Sequence, residues 1–275
     1  MEYYGIFLSV LVFLLGVIIG SFLNVVIFRF GSGVGLSGRS KCLSCGKILR
    51  ASMLVPLFSF LFARGKCAYC KAKLSFQYPL VELATGVLFL IVAGVHHLNV
   101  LQFDGQAFFF TLLDMAIWSV LVVIAVYDIK HKIIPDRFSL SFALLAGIEL
   151  FFKWHWGLLH LPYIPFLNST PLWIDFAAAP IIALPFALIW FFSGGRAMGL
   201  GDAKLAWGIG WFFGISGGVT AAVFAFWIAF LPSVGLLLLP SKRFTMKSEI
   251  PFGPFLVLGT LMTYAFGLNL LSWSF

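Results

Sequence analysis

Apolar residues fall in long runs separated by short polar gaps, at 6–28, 78–95, 107–127, 138–152, 173–192, 205–213, 219–239 and 255–271. About 20 predominantly apolar residues suffice for a helix to cross the hydrocarbon core of a bilayer. Most of the runs therefore predict spans, and the expected architecture is all-α: a polytopic membrane protein with about eight transmembrane helices. The run at 205–213 is the short one, rising only about 14 Å against a core of about 30 Å. Extending it to Gly217 still leaves it short.

Composition agrees with the pattern. Charged residues make up 10% of the chain and hydrophobic residues 61%, whereas a soluble domain carries about 25% charged residues. The first run is expected to stay in the protein, because Met1-Glu2-Tyr3-Tyr4 has no basic segment and no small-residue cleavage site follows.

The net charge of +8 does not indicate nucleic acid, since the basic residues form no aromatic-interleaved patch. They lie between the apolar runs, where charge sets membrane topology. Seventeen of the 18 Lys and Arg fall in alternate gaps: nine from Arg29 to Lys73, three from Lys130 to Arg137, two from Arg196 to Lys204 and three from Lys242 to Lys247. Only Lys153 lies on the other side. Basic gaps face the cytoplasm, so both termini are expected outside. The crossing at 205–213 is kept because without it Lys242, Arg243 and Lys247 would move to the outer side.

The longest polar gap, about 31–77, contains all four cysteines, as Cys42-Leu43-Ser44-Cys45 and Cys67-Ala68-Tyr69-Cys70. Two CxxC pairs are the spacing of a four-thiolate zinc site, in which each tight knuckle supplies two ligands. The alternatives are two disulfides or four free thiols, and a cytoplasmic loop disfavours disulfides. Four thiolates leave zinc no open position, which makes its expected role structural. Between the pairs, 53–62 is apolar but too short to span, which suits a small core or a helix on the membrane surface.

Acids at membrane depth are functional-site candidates because they are expensive there. Asp128 ends the third run, and Asp202 precedes the sixth within Gly199-Leu200-Gly201-Asp202-Ala203-Lys204. The charge pattern assigns both to the cytoplasmic face. Two close carboxylates cannot both ionise cheaply, so one holds a proton while the other accepts one, which suits activation of water against a peptide bond. Asp202 could instead merely cap a helix. Gly199 and Gly201 would let a substrate backbone approach, and Lys204 would favour an ionised Asp202.

The remaining polar positions invite quieter readings. Asp136 is expected as an N-cap. Asp114, Glu149, Asp175 and Asp104 lie toward the outer side and suggest structural or solvated roles. Gly20, Ser21 and Asn24 suit helix packing within lipid, and Arg29 an interfacial anchor. Glu82 would bind either a neighbouring helix or a ligand, and no internal repeat is evident.

Taken in order, these residues resemble the bacterial type IV prepilin peptidases, a family of GxGD-type intramembrane aspartyl proteases. The resemblance rests on Gly20-Ser21-Phe22-Leu23-Asn24-Val25-Val26-Ile27 with Arg29, both CxxC pairs, Arg64-Gly65-Lys66-Cys67, Tyr78-Pro79-Leu80-Val81-Glu82, Asp128 with Ile134-Pro135-Asp136, the Gly199–Lys204 stretch, and Pro251-Phe252-Gly253-Pro254. It implies an inner-membrane enzyme that cuts the leader of prepilin or pseudopilin substrates with Asp128 and Asp202. It also implies methylation of the new N-terminus from S-adenosylmethionine, associated with an N-terminal region at 1–105, ahead of a peptidase domain at 106–275. Asn24 and Glu82 are candidates for the methyl-donor site. The chain departs from the family pattern where Phe30 follows Arg29 in place of a proline, at Leu43, and at Met53-Leu54-Val55. A non-enzymatic transporter or scaffold, with the aspartates as ion ligands, is the competing reading. It calls for acids at the bilayer midplane on broken helices, whereas these lie at the boundary.

Overall fold

The computed structural model describes residues 2–33, 35–97, 104–157, 173–238 and 250–272. The basic gap at 242–247 and almost all of the outer gap at 154–173 lie outside the described residues. The described residues are mostly helical, with no strand among them: α1 (Glu2–Arg29), α2 (Phe58–Phe62), α3 (Gln77–Val95), α4 (Gly105–His131), α5 (Asp136–His155), α6 (Trp173–Ser193), α7 (Leu200–Leu238) and α8 (Gly253–Phe266). Five of these helices are long and apolar enough to cross a membrane, and α8 is a shorter apolar helix. The protein is a multi-pass membrane protein, and it divides into two compact units, Met1–Val123 and Ile124–Phe275.

In the first unit α1 packs on α3. Inside a membrane, helices associate through close packing and polar contacts rather than by escaping water. A Cβ on Gly20 would lie 2.8 Å from Glu82 Cα, and one on Gly16 would lie 2.8 Å from Gly86 Cα. Small residues thus let the two backbones nearly touch. Farther up, Asp114 is buried in α4 and pairs with His96 at 2.7 Å, which gives it the structural role expected of it.

The second unit is organised around α7. This helix is interrupted at Gly214, with φ 71° and ψ −170°, a conformation open essentially to glycine alone. The contacts on either side show that the chain reverses there. In 200–213, Gly210 lies against Ala178 and Trp211 against Phe176 of α6, so this segment runs antiparallel to α6. In 215–238, Gly218 lies against Ile182 and Phe226 stacks on Phe186, so that segment runs parallel to it. Phe226 also meets Phe252 at the start of α8, with 4.9 Å between ring centroids. The short predicted run at 205–213 is one arm of a helical hairpin, and it begins at Leu200, five residues earlier than the apolar pattern indicates.

Proline explains one contact in this hairpin. Pro180 lies inside α6 and has no N–H, so the carbonyl four residues earlier, on Phe176, loses its helical donor. Trp211 Nε1 donates to that carbonyl at 3.1 Å. Neighbouring helices commonly satisfy such freed groups in membranes. In α5 the buried Glu149 is paired with Lys153 one turn on, so the polar pair interrupting this apolar stretch is internally neutralised.

Two substitutions test this packing. A Cβ on Gly259 would lie 2.3 Å from Ala221 O, so Gly259→Ala should force α8 away from α7 and cost about 1–3 kcal/mol. Gly214→Ala should cost a similar amount, about 1–3 kcal/mol, through its backbone alone. Thermal unfolding of the purified protein should show both losses. Gly235→Ala, with nothing within 4 Å of the new methyl, should show none.

Candidate active site

Three helix ends converge in the second unit. The first is the end of α4, closed by Lys132 at φ 55° with its N–H on Asp128 O at 2.7 Å. The following Pro135 restricts Ile134 to extended backbone and turns the chain into α5. The second is the start of α7 at Leu200, and the third is the start of α8 at Gly253. Asp128 is only 4% exposed and Asp202 only 7%.

Ile134 sits between the elements carrying the two aspartates. A Cβ on Gly201 would lie 2.9 Å from Ile134 Cβ, and one on Gly253 would lie 3.0 Å from Ile134 Cδ1 and 2.7 Å from Asp128 Oδ2. Gly253 N–H donates to Asp128 Oδ2 at 3.0 Å. A backbone amide therefore fixes one carboxylate, and glycine is required for that amide to come so close.

Some of the expected roles change. Gly201 does not hold space open for a substrate, because Ile134 fills it; Gly199 faces only the Asp202 carboxylate, at 3.6 Å, and the Gly201 amide. Lys204 does not reach for Asp202. Its Nζ meets Asp136 Oδ1 at 2.6 Å, two helix starts tied by one exposed ion pair. Asp136 is the first residue of α5 rather than its N-cap, a position taken by Pro135 with no side-chain cap. Sequence reasoning also missed the Gly253 amide and the Ile134 wedge. The available signal was the pair of proline-flanked stretches, Ile134-Pro135 and Pro251-Phe252-Gly253-Pro254, which entered the sequence analysis only as part of the family resemblance.

In the first unit the four cysteine sulfurs lie within 4.8 Å of one another, with Cys42 Sγ and Cys70 Sγ 3.8 Å apart. Tetrahedral zinc with Zn–S bonds of about 2.3 Å has sulfur–sulfur edges of about 3.8 Å, so the set fits such an ion. The cysteines are free thiols, which removes the disulfide alternative. Residues 41–48 and 66–73 form matching knuckles. Cys42 N bonds Lys47 O and Gly46 N bonds Cys42 O, while Cys67 N bonds Ala72 O and Lys71 N bonds Cys67 O. The repeated CxxC spacing is thus matched by repeated backbone hydrogen bonds.

Electrostatics also favour a cation there. Amides of Cys45 and Ser44 aimed at the Cys42 sulfur pull its pKa down to about 6. The Ala72 amide acts the same way on Cys70, but burial and the three neighbouring sulfurs outweigh it and push that thiol up to about 11. Four sulfurs this close cannot all ionise without a metal among them.

Asn24 and Glu82 are buried near these knuckles in sequence but are occupied. Asn24 Nδ2 donates to Tyr78 O at 3.1 Å and to Gly20 O at 3.3 Å, and Gln77 Nε2 donates to Asn24 Oδ1 at 3.2 Å. Glu82 Oε2 accepts the Leu57 N–H at 2.7 Å, and Ser21 also bonds the carboxylate. The helix-binding reading of both residues is the one that matches these contacts.

Comparison with known proteins gives two family matches in chain order. Residues 14–96 match the bacterial peptidase A24 N-terminal domain, and residues 115–238 match the type IV leader peptidase family. The chain is 31% identical over 270 residues to the prepilin leader peptidase/N-methyltransferase of Bacillus subtilis (strain 168), covering 96% of each. It is 28% identical to the protein of that name from Dichelobacter nodosus, covering 92% of this chain and 90% of the relative. It is 29% identical to that from Aeromonas salmonicida (strain A449), covering 96% and 92%. No solved structure matches. Aligned almost end to end with these relatives, with both halves matched in order, the chain belongs to the type IV leader peptidase family.

Proposed function

We propose that this protein cleaves the leader peptide of type IV prepilins or type II secretion pseudopilins at the cytoplasmic face of the inner membrane. The buried pair Asp128 and Asp202, with Gly253 N–H on one member, carries this reading. The pair holds one proton between its carboxylates. The ionised member takes a proton from water as the oxygen attacks the scissile carbonyl, and the protonated member gives its proton to the departing amide nitrogen. Gly253 positions Asp128 for that exchange, and the Lys204–Asp136 pair ties α7 to α5 on either side of the dyad.

The same relatives' name supports a second step in which the freed N-terminal amine is methylated from S-adenosylmethionine. We assign that step to the N-terminal region at 1–105 and hydrolysis to 106–275. The ion we propose for Cys42, Cys45, Cys67 and Cys70 is structural Zn²⁺. It would supply no reactive position, only the cross-link that folds a loop too small for a core of its own.

Mass spectrometry of a prepilin incubated with purified protein and S-adenosylmethionine should show both the cut and the added methyl. Asp128→Asn and Asp202→Asn should each lower cleavage by about 10²–10⁴-fold while the protein remains inserted; normal processing by both variants would sink the dyad. Gly253→Ala should lower the cleavage rate at unchanged expression, because the methyl displaces Asp128 from its amide. Metal analysis should find one zinc per chain in the parent protein and its loss in Cys42→Ser and Cys67→Ser. A metal-free parent would remove the zinc assignment without touching the dyad.

A further inference from the structure

The polar gap at 31–77 contains eight Lys and Arg and no Asp or Glu. In its middle is an apolar segment that turns its side chains away from the protein. Leu61 is 71% exposed and Phe62 81%, and Leu54, Val55 and Phe58 beside them are exposed as well. These residues lie in and before α2, whose five residues are too few to span anything.

Its depth is fixed by Glu82. The Leu57 N–H, at the base of α2, donates to Glu82 Oε2 at 2.7 Å, and Leu57 itself takes the unfavourable left-side backbone φ of 60°. Glu82 lies five residues inside α3, which starts at Gln77, or about 7–8 Å along the helix axis. The carboxylate therefore pulls the apolar segment back alongside a membrane-spanning helix. Interfacial helices bury their apolar face about 5–10 Å into the headgroup and acyl boundary, the same depth.

We propose that residues 54–62 are an interfacial anchor, with Leu54, Val55, Phe58, Leu61 and Phe62 inserted in the leaflet on the side of the basic loop. The flanking Arg50, Arg64 and Lys66 bind anionic phospholipid headgroups. Charge selects this occupant. A loop of +8 before metal binding attracts an anionic surface and repels a basic peptide, and even a zinc tetrathiolate of charge −2 leaves it strongly basic. Glu82 is the positioning residue that sets the depth. The metal knuckles, on either side of the segment in sequence, are then held at the headgroup surface rather than free to swing away from it.

The test uses the full-length protein in nanodiscs, with p-benzoylphenylalanine replacing Phe62, a position too exposed to disturb folding. Irradiation followed by mass spectrometry should find phospholipid joined at position 62, while the same group replacing Tyr69 in the second knuckle should capture far less. Capture of protein at position 62, whether this chain or a second copy, or no lipid adduct, would overturn the proposal. Hydrogen exchange of 51–63 in the parent protein should be severalfold slower in phosphatidylcholine–phosphatidylglycerol discs than in phosphatidylcholine alone. The difference should shrink at high salt. Equal exchange in the two compositions would overturn the anionic-headgroup part, and Glu82→Gln should raise exchange in both. None of these readouts depends on cleavage, so an inactive dyad would leave the result standing.

Discussion

A carboxylate buried at membrane depth is costly without a partner, because no water is there to solvate it, and most of the buried acids here have one, Asp175 Oδ2 being an exception. Much of the fold follows from meeting that demand. Asp128 takes the Gly253 amide, Glu82 the Leu57 amide, Asp114 the His96 ring and Glu149 the Lys153 ammonium. In two of the four cases the donor is a backbone N–H, which cannot be moved without moving a chain segment. Gly253 fixes the start of α8 and Leu57 the base of α2. The ionisable residues are thus also the points at which loops are attached to helices.

The same demand explains what the sequence disclosed. Apolar run length located every major helix, because each membrane-spanning helix must satisfy its own backbone. Charge topology required the crossing at 205–213 and so a reversal before the next run, but it could not show that the reversal takes place at one glycine among several in the stretch, Gly214. The contacts of Gly210 with Ala178 and of Gly218 with Ile182 reveal it. Asp128 and Asp202 were expected as a pair because charge topology is a global constraint that assigns distant acids to one face. The Gly253 amide was not, because a backbone donor leaves no residue type to recognise.

The cysteine loop shows the reverse balance. Spacing alone pointed to four ligands, and the geometry bears the grouping out to within 4.8 Å. The likeness between the two knuckles extends from the CxxC spacing to the backbone hydrogen bonds. Gly46 and Lys71 take the same turn position with φ 70° and 59°, a conformation natural for glycine and costly for lysine. Aligning the two CxxC pairs sets Gly46 against Lys71, and the paired Cys N–H bonds to Lys47 O and Ala72 O show that the backbones match there too.

Set against Asp202, an ammonium would favour the ionised form of that carboxylate, against the shared proton that the proposed hydrolysis requires. The structure directs Lys204 to Asp136, an exposed acid at the start of α5. The cation so placed still joins the two helices that frame the site, at the modest worth of a surface ion pair, without neutralising the dyad. Gly201 makes a parallel exchange, giving up open space to admit Ile134 and so bringing α7 up to the turn that follows Asp128. Gly201 and Lys204, expected to serve substrate and charge, serve instead to pack the start of α7 against Ile134 and Asp136.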